Sequence, residues 1–193
     1  MKKRLFVAIN FDPATRLAIA RQTAGFPDRP GLNKIRVDNL HLTLLFLGDT
    51  DEELIPEISR QLDDISKNFR SLILKFGRLG GFPDLKYPQV VWVGIEGPNL
   101  IELRQTIAQL LLPLVPTADT KPFHPHLTLA RVSSSTHPEL TAILDSQGQR
   151  PPFETNLPST TVSQIDLMES TLTSGGSIYK RLSAHRLVKT PES

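Results

Sequence analysis

The period of apolar and polar positions changes repeatedly along this chain, and each change marks an element. Leu5 to Ile9 is an unbroken apolar run of strand length. Asp12 and Pro13 follow as a helix cap and first helical position, and the segment Phe26-Pro27-Asp28-Arg29-Pro30-Gly31 breaks that helix. A short run at Ile35 to Val37 precedes a strand from His41 to Leu47, closed by Gly48. The acidic stretch Asp49 to Glu53 predicts a helix start, and Leu54, Ile58, Leu62 and Ile65 form an apolar stripe at helical spacing. Leu72 to Phe76 and Val90 to Ile95 read as strands joined through Gly80, Gly81 and Pro83, and Leu100 to Leu112 as a helix ending near Pro113. A strand from His126 to Val132 follows, then a helix from Thr136-His137-Pro138-Glu139 to about Gly148. Two last strands, Thr160 to Glu169 and Ile178 to Val188, meet across Ser174-Gly175-Gly176. Pro151-Pro152 and the polar end after Lys189 are the expected loose parts.

Mixed helices and antiparallel-type strands predict an α+β architecture with helices covering one side of each sheet. At 193 residues the chain fits one domain, spanning 1–193, with 39% hydrophobic residues for an ordinary core. A net charge of +2 excludes the strongly basic class of nucleic-acid binder, though not a local cationic cleft. There is no cysteine, which excludes disulfides and thiol catalysis and fits a reducing compartment. The apolar run after Met1-Lys2-Lys3-Arg4 is too short for an export signal or a membrane span, so the expected location is cytoplasmic.

One short pattern occurs twice: His41-Leu42-Thr43-Leu44 and His126-Leu127-Thr128-Leu129. Strand side chains alternate, so His41 and Thr43 share one face while Leu42 and Leu44 take the other, and the second copy behaves alike. The leucines anchor each strand to a core, and an imidazole with a hydroxyl points into a cleft. Two such strands supply a kit for phosphoester chemistry without a metal.

With both strands in place the chain resembles the two-histidine (2H) phosphoesterases, specifically the LigT-like RNA 2′,3′-cyclic phosphodiesterases. The likeness includes Arg4-Leu5-Phe6-Val7-Ala8-Ile9, Asn39-Leu40 before the first motif, and Phe46-Leu47-Gly48 after it. It continues through Gly81-Phe82-Pro83, Val91-Trp92-Val93-Gly94, Phe123-His124-Pro125 and Ala130-Arg131, and ends with Glu169-Ser170, Gly176 and Tyr179. Many relatives carry an aromatic residue shortly before the first motif, where this chain has Ile35 and Arg36. The resemblance implies a bilobal fold of two antiparallel-sheet lobes, helices outside, around a central cleft. It implies hydrolysis of a terminal 2′,3′-cyclic phosphate on RNA to a 2′-phosphomonoester, with a reversible 2′-5′ RNA ligase activity.

Imidazole suits acid and base work because its ordinary pKa of about 6.5 lies near working pH. The resemblance assigns His41 as proton donor to the leaving 3′ oxygen and His126 as proton acceptor. Thr43 and Thr128 would donate hydrogen bonds to the non-bridging oxygens. Arg131 and Tyr179 are the substrate-binding candidates. Strict alternation from His126 puts Arg131 on the leucine face, so its reaching the cleft requires a bend near Ala130.

Blander readings apply elsewhere. His137 and His185 read as structural. His124 and His126 share a face and suggest a metal pair, but a zinc site wants three or four ligands and no third is evident. No metal and no cofactor is therefore expected. Trp92 reads as packing, Gly80, Gly81, Gly175 and Gly176 as turns, and Met1 to Arg4 with Lys180-Arg181 as solvated surface. Two alternatives remain: a phosphoesterase for another cyclic or 2′-5′-linked nucleotide, and a non-catalytic RNA-binding module. Oligomeric state is not legible.

Overall fold

The two motif strands lie side by side at the centre of one curled antiparallel sheet. The computed structural model describes residues 1–23, 25, 26, 28, 30–84, 87–133, 157, 159–174 and 176–189. In chain order the elements are β1 (Lys2–Asn10), α1 (Pro13–Gln22), β2 (Leu32–Lys34), β3 (His41–Asp51), α2 (Ile55–Ser66), β4 (Leu72–Phe82), β5 (Val90–Glu96), α3 (Leu100–Leu111), β6 (His126–Val132), β7 (Thr160–Val162), β8 (Gln164–Thr173) and β9 (Gly176–Arg186). The strands run β7-β4-β5-β6-β3-β1-β8-β9 across the sheet, with β2 added to β6. Each half thus carries one motif strand at its inner edge, and β3 and β6 pair only through Leu42 opposite Leu127. The two copies of the pattern meet at this narrow seam.

Alternation separates the two faces. On β1, Leu5, Val7 and Ile9 enter the main core with Leu42, Leu44, Leu127 and Leu129. Phe6 and Ala8 point the other way and form a small cluster with Met168, against Phe46 and Tyr179. The helices cover the main core: α2 packs on α3, β8 and β9, and α3 packs on β3. Ile58, Leu62 and Ile65 are the buried stripe of α2, as the spacing predicts. Asp12 caps α1, accepting from the Thr15 amide at 3.0 Å, with Pro13 at the first helical position.

Several expectations need correction. The first motif strand does not close at Gly48 but runs to Asp51, because β1 pairs with it down to Lys2 opposite Asp51. Gly48 sits within the strand at φ 74°, and Thr50, read as part of a helix start, is buried. The helix itself begins at Ile55, after a single 3-10 turn at Glu52–Leu54. The short run near Ile35 is displaced: the strand is Leu32–Lys34, and Val37 opens another 3-10 turn. Gly80 and Gly81 are strand residues, not turns. Gly80 lies opposite Trp92, whose ring covers it so closely that a β-carbon would sit 2.1 Å from ring carbons. The segment from Thr160 splits, since β7 pairs with β4 in one half while β8 pairs with β1 in the other. The helix expected from Thr136 to Gly148, with His137 and Pro151-Pro152, lies outside the described residues.

His185 is structural, as read. Its Nδ1 is 2.6 Å from Asp63 of α2, and its Nε2 is 2.8 Å from Ser183 Oγ, which in turn meets Ser59 of α2 at 3.0 Å. This Asp-His-Ser chain holds α2 on β9, on the face away from the motif histidines.

Candidate active site

The two motif strands present the same parts in the same order. His41 Nδ1 donates to the carbonyl of Asn39 at 2.7 Å, and His126 Nδ1 to that of His124 at 2.6 Å. A backbone carbonyl only accepts, so each Nδ1 carries a proton and each Nε2 is left for chemistry. Thr43 Oγ1 lies 3.1 Å from His41 Nε2. Both histidines and both threonines line one cleft of about 470 Å³.

Matching bulges then bring a further side chain of each strand into that cleft. Phe6 and Val7 of β1 face Phe46 and Leu45, but Ala8 faces Thr43, so β3 carries an extra residue at Leu44. On β6, Val91 faces Ala130 and Trp92 faces Thr128, so the extra residue is Leu129. An inserted residue flips the parity beyond it. Leu44 with Leu45, and Leu129 with Ala130, are therefore all buried, while Phe46 and Arg131, each five residues past its histidine, line the cleft. The parity conflict over Arg131 is resolved by this bulge.

Each imidazole is also bracketed by two aromatic rings. Phe6 and Tyr179 both lie 5.1 Å from His41, centroid to centroid, Tyr179 edge-on. Phe82 lies 5.1 Å and Trp92 5.9 Å from His126. Trp92, expected as simple packing, is thus part of the wall that orients His126. Arg4, expected as solvated surface, lies over the Phe46 ring at 4.9 Å and lines the cleft, so a guanidinium stands on either side of it. Phe6, Phe82, Trp92 and Arg4 were not visible as site residues because they come from neighbouring strands. All four fall in segments that carry the family resemblance, but their place around the cleft is set by cross-strand register, which a single sequence does not carry.

The electrostatics act against protonation. Burial first, then the positive charge of Arg131 and of the other histidine, lower the His41 pKa below the ordinary imidazole value, against the raising effect of its Asn39 bond. Burial likewise lowers His126, aided by His124 and Arg131. An anion in the cleft would relieve this penalty on the imidazolium, so the site is built for negative charge. His124 is exposed and contributes its carbonyl to His126. Among the described residues, no group of three or more His, Asp or Glu side chains is placed to hold a metal ion.

The chain matches the 2′-5′ RNA ligase superfamily over residues 12–172. It is similar to the RNA 2′,3′-cyclic phosphodiesterase of Aeropyrum pernix, at 33% identity over 170 residues, covering 86% of this chain and 92% of the relative. Its fold resembles TT0787 of Thermus thermophilus, with a TM-score of 0.77 at 25% identity over 95% of this chain and 97% of that one. It also resembles E. coli LigT in apo form, with a TM-score of 0.74 at 28% identity over 97% and 98%. The doubled histidine strands, the sheet that joins them and these likenesses agree: the chain belongs to the 2′-5′ RNA ligase superfamily.

Proposed function

We propose that this protein is an RNA 2′,3′-cyclic phosphodiesterase, opening a terminal 2′,3′-cyclic phosphate with water to leave a 2′-phosphomonoester. The observation that carries the reading is the doubled kit: two Nε2 atoms and two threonine hydroxyls lining one cleft, with each Nδ1 tied to a backbone carbonyl. His126 Nε2, neutral, takes a proton from the attacking water as its oxygen bonds to phosphorus. His41 Nε2, protonated, gives its proton to the 3′ oxygen as the P–O3′ bond breaks. The division of labour follows the family resemblance.

Thr43 and Thr128 donate to the non-bridging oxygens, where charge builds in the transition state. Arg131 pairs with the phosphate and keeps it between the imidazoles. Tyr179 supports His41 edge-on and offers the rest of its ring to the substrate. The reaction needs no metal, because general acid–base transfer and fixed donors cover each charge that develops. When a 5′-hydroxyl of a second RNA replaces water, the same proton transfers form a 2′-5′ linkage, which accounts for a reversible ligase activity. No helix among the described residues is long and apolar enough to cross a membrane, and the absence of cysteine supports a cytoplasmic setting.

The test is product identification. RNA ending in a 2′,3′-cyclic phosphate, incubated with the protein in excess chelator, should yield the 2′-phosphate, and His41→Ala or His126→Ala should each abolish it. Activity only after metal is added would contradict the mechanism. RNA binding without turnover in either condition would favour the binding module.

A further inference from the structure

A second cleft of about 490 Å³ adjoins the first, and Tyr179 lines both. Strand β9 runs along them: Ser177 and Tyr179 line the first cleft, Tyr179 and Arg181 the second. The three residues share a strand face, so Arg181 stands one strand repeat, about 7 Å, beyond Tyr179. A bulge follows immediately, since Leu167 faces Ser183 but Met168 faces Arg181, leaving Leu182 as the extra residue. That insertion keeps Arg181 on the cleft side while Ser183 and His185 turn to α2. Lys180-Arg181 is therefore not one solvated patch, because its arginine lines a cleft that meets the histidine cleft at Tyr179.

The chemistry of this second cleft is not that of the first. Among the described residues its lining has no histidine, which equips it to bind and not to cleave. Beneath it lies the carboxyl of Asp166, fully buried and held by the Asn10 side-chain amide at 2.7 Å and that of Gln164 at 2.9 Å. Burial raises its pKa. Asn10 gives its second N–H to Met168 Sδ at 3.3 Å, so the wall, which also includes Tyr179, offers the side-chain carbonyl oxygens of Asn10 and Gln164 as acceptors and a second N–H of Gln164 as a donor. Arg181 Nη1 is 3.9 Å from Asp166, which tethers the guanidinium loosely at the lip, more than half exposed. Two acids also line it: Asp12 accepts from Thr15, and Asp38 is met by Arg16, a second lining guanidinium, which donates to its backbone carbonyl at 3.0 Å and lies 3.9 Å from its carboxylate. An aromatic ring, neutral acceptors and the exposed guanidinium of Arg181, with a second guanidinium, Arg16, held at Asp38, suit a nucleoside joined to a phosphodiester.

We propose that the second cleft is the subsite for the nucleotide 5′ to the cyclic phosphate, with Arg181 pairing to its phosphodiester and Tyr179 dividing it from the reacting nucleotide. This rests on the main-cleft reading, since an RNA ending in a cyclic phosphate continues only in the 5′ direction. It makes the substrate an oligonucleotide end and not a mononucleotide. Arg181 is a specificity residue, outside the reacting cleft.

The experiment compares kcat/KM for a nucleoside 2′,3′-cyclic monophosphate with that for a dinucleotide ending in a 2′,3′-cyclic phosphate. The unmutated protein should favour the dinucleotide. Arg181→Gln should lower kcat/KM for the dinucleotide by about three- to tenfold, as for one lost charge-assisted phosphate contact, and reduce its salt slope by about one. The mononucleotide should be hydrolysed as before. Thr161→Trp, which fills the second cleft from an exposed wall position, should erase the preference in the same way. Equal use of both substrates by the unmutated protein, or equal slowing of both in Arg181→Gln, would overturn the subsite and leave the main-cleft reading standing. Failure to hydrolyse either substrate would overturn that reading and the subsite with it.

Discussion

A positive charge beside a histidine opposes its protonation, and Arg131 acts in this way on both His41 and His126. Burial lowers both pKa values first, and the arginine adds to it. The bell-shaped pH dependence of kcat/KM should therefore lie on the acid side of the ordinary imidazole value, with both limbs belonging to the pair. Arg131→Gln removes one cation, so both histidines protonate more readily and both limbs should move to higher pH, with a raised KM. A pH–rate profile of the two proteins checks this, and an acid shift would contradict it. Thr128→Val keeps the strand shape but deletes a donor, so kcat should fall about 10²–10³-fold with little change in KM. The histidines and threonines were legible because alternation repeats within each motif. Arg131 was offered only by the resemblance and not by alternation, because one inserted residue at Leu129 reverses its face and leaves no mark in composition or period.

At the level of elements, β4 is shaped around a ring on its neighbour. Gly80→Ala would force its β-carbon against Trp92, which also lies 5.9 Å from His126. The substitution should destabilise by about 1–3 kcal/mol and lower kcat, and Trp92→Val in the same chain should recover the stability. Chemical denaturation of the two single variants and the double variant measures this. On the opposite face, His185→Ala takes the imidazole away from Asp63 and from Ser183, which keeps Ser59, and should cost about 1–3 kcal/mol with kcat unchanged. Most elements were legible from period and caps, as α1 and α2 illustrate. The end of β3 was not, because the acidic residues that suggest a helix start are consumed by pairing with β1, a tertiary demand that overrides local preference.

Across the whole molecule, two half-sheets each bring one motif strand to a seam held by a single pairing, Leu42 with Leu127. Helices lie on one face and the reactive groups on the other, so the core that stabilises the sheet is also what aims the imidazoles. The leucines of both motifs enter the same apolar core, which supports our proposal that residues 1–193 act as one domain. Calorimetry should accordingly give one unfolding transition, and two resolved transitions would contradict it. The duplication was visible as a repeated pattern, but which strands neighbour which was not, since β7 and β8 diverge to opposite halves after adjacent positions in the chain. The central claim is that the halves do different work, His126 as base and His41 as acid. The most direct test uses a 2′,3′-cyclic substrate whose 3′ bridging oxygen is replaced by sulfur, a leaving group that needs no proton. His41→Ala should recover most of its lost rate on this substrate, whereas His126→Ala should stay slow. Recovery in His126→Ala instead, or in neither variant, would contradict the assignment.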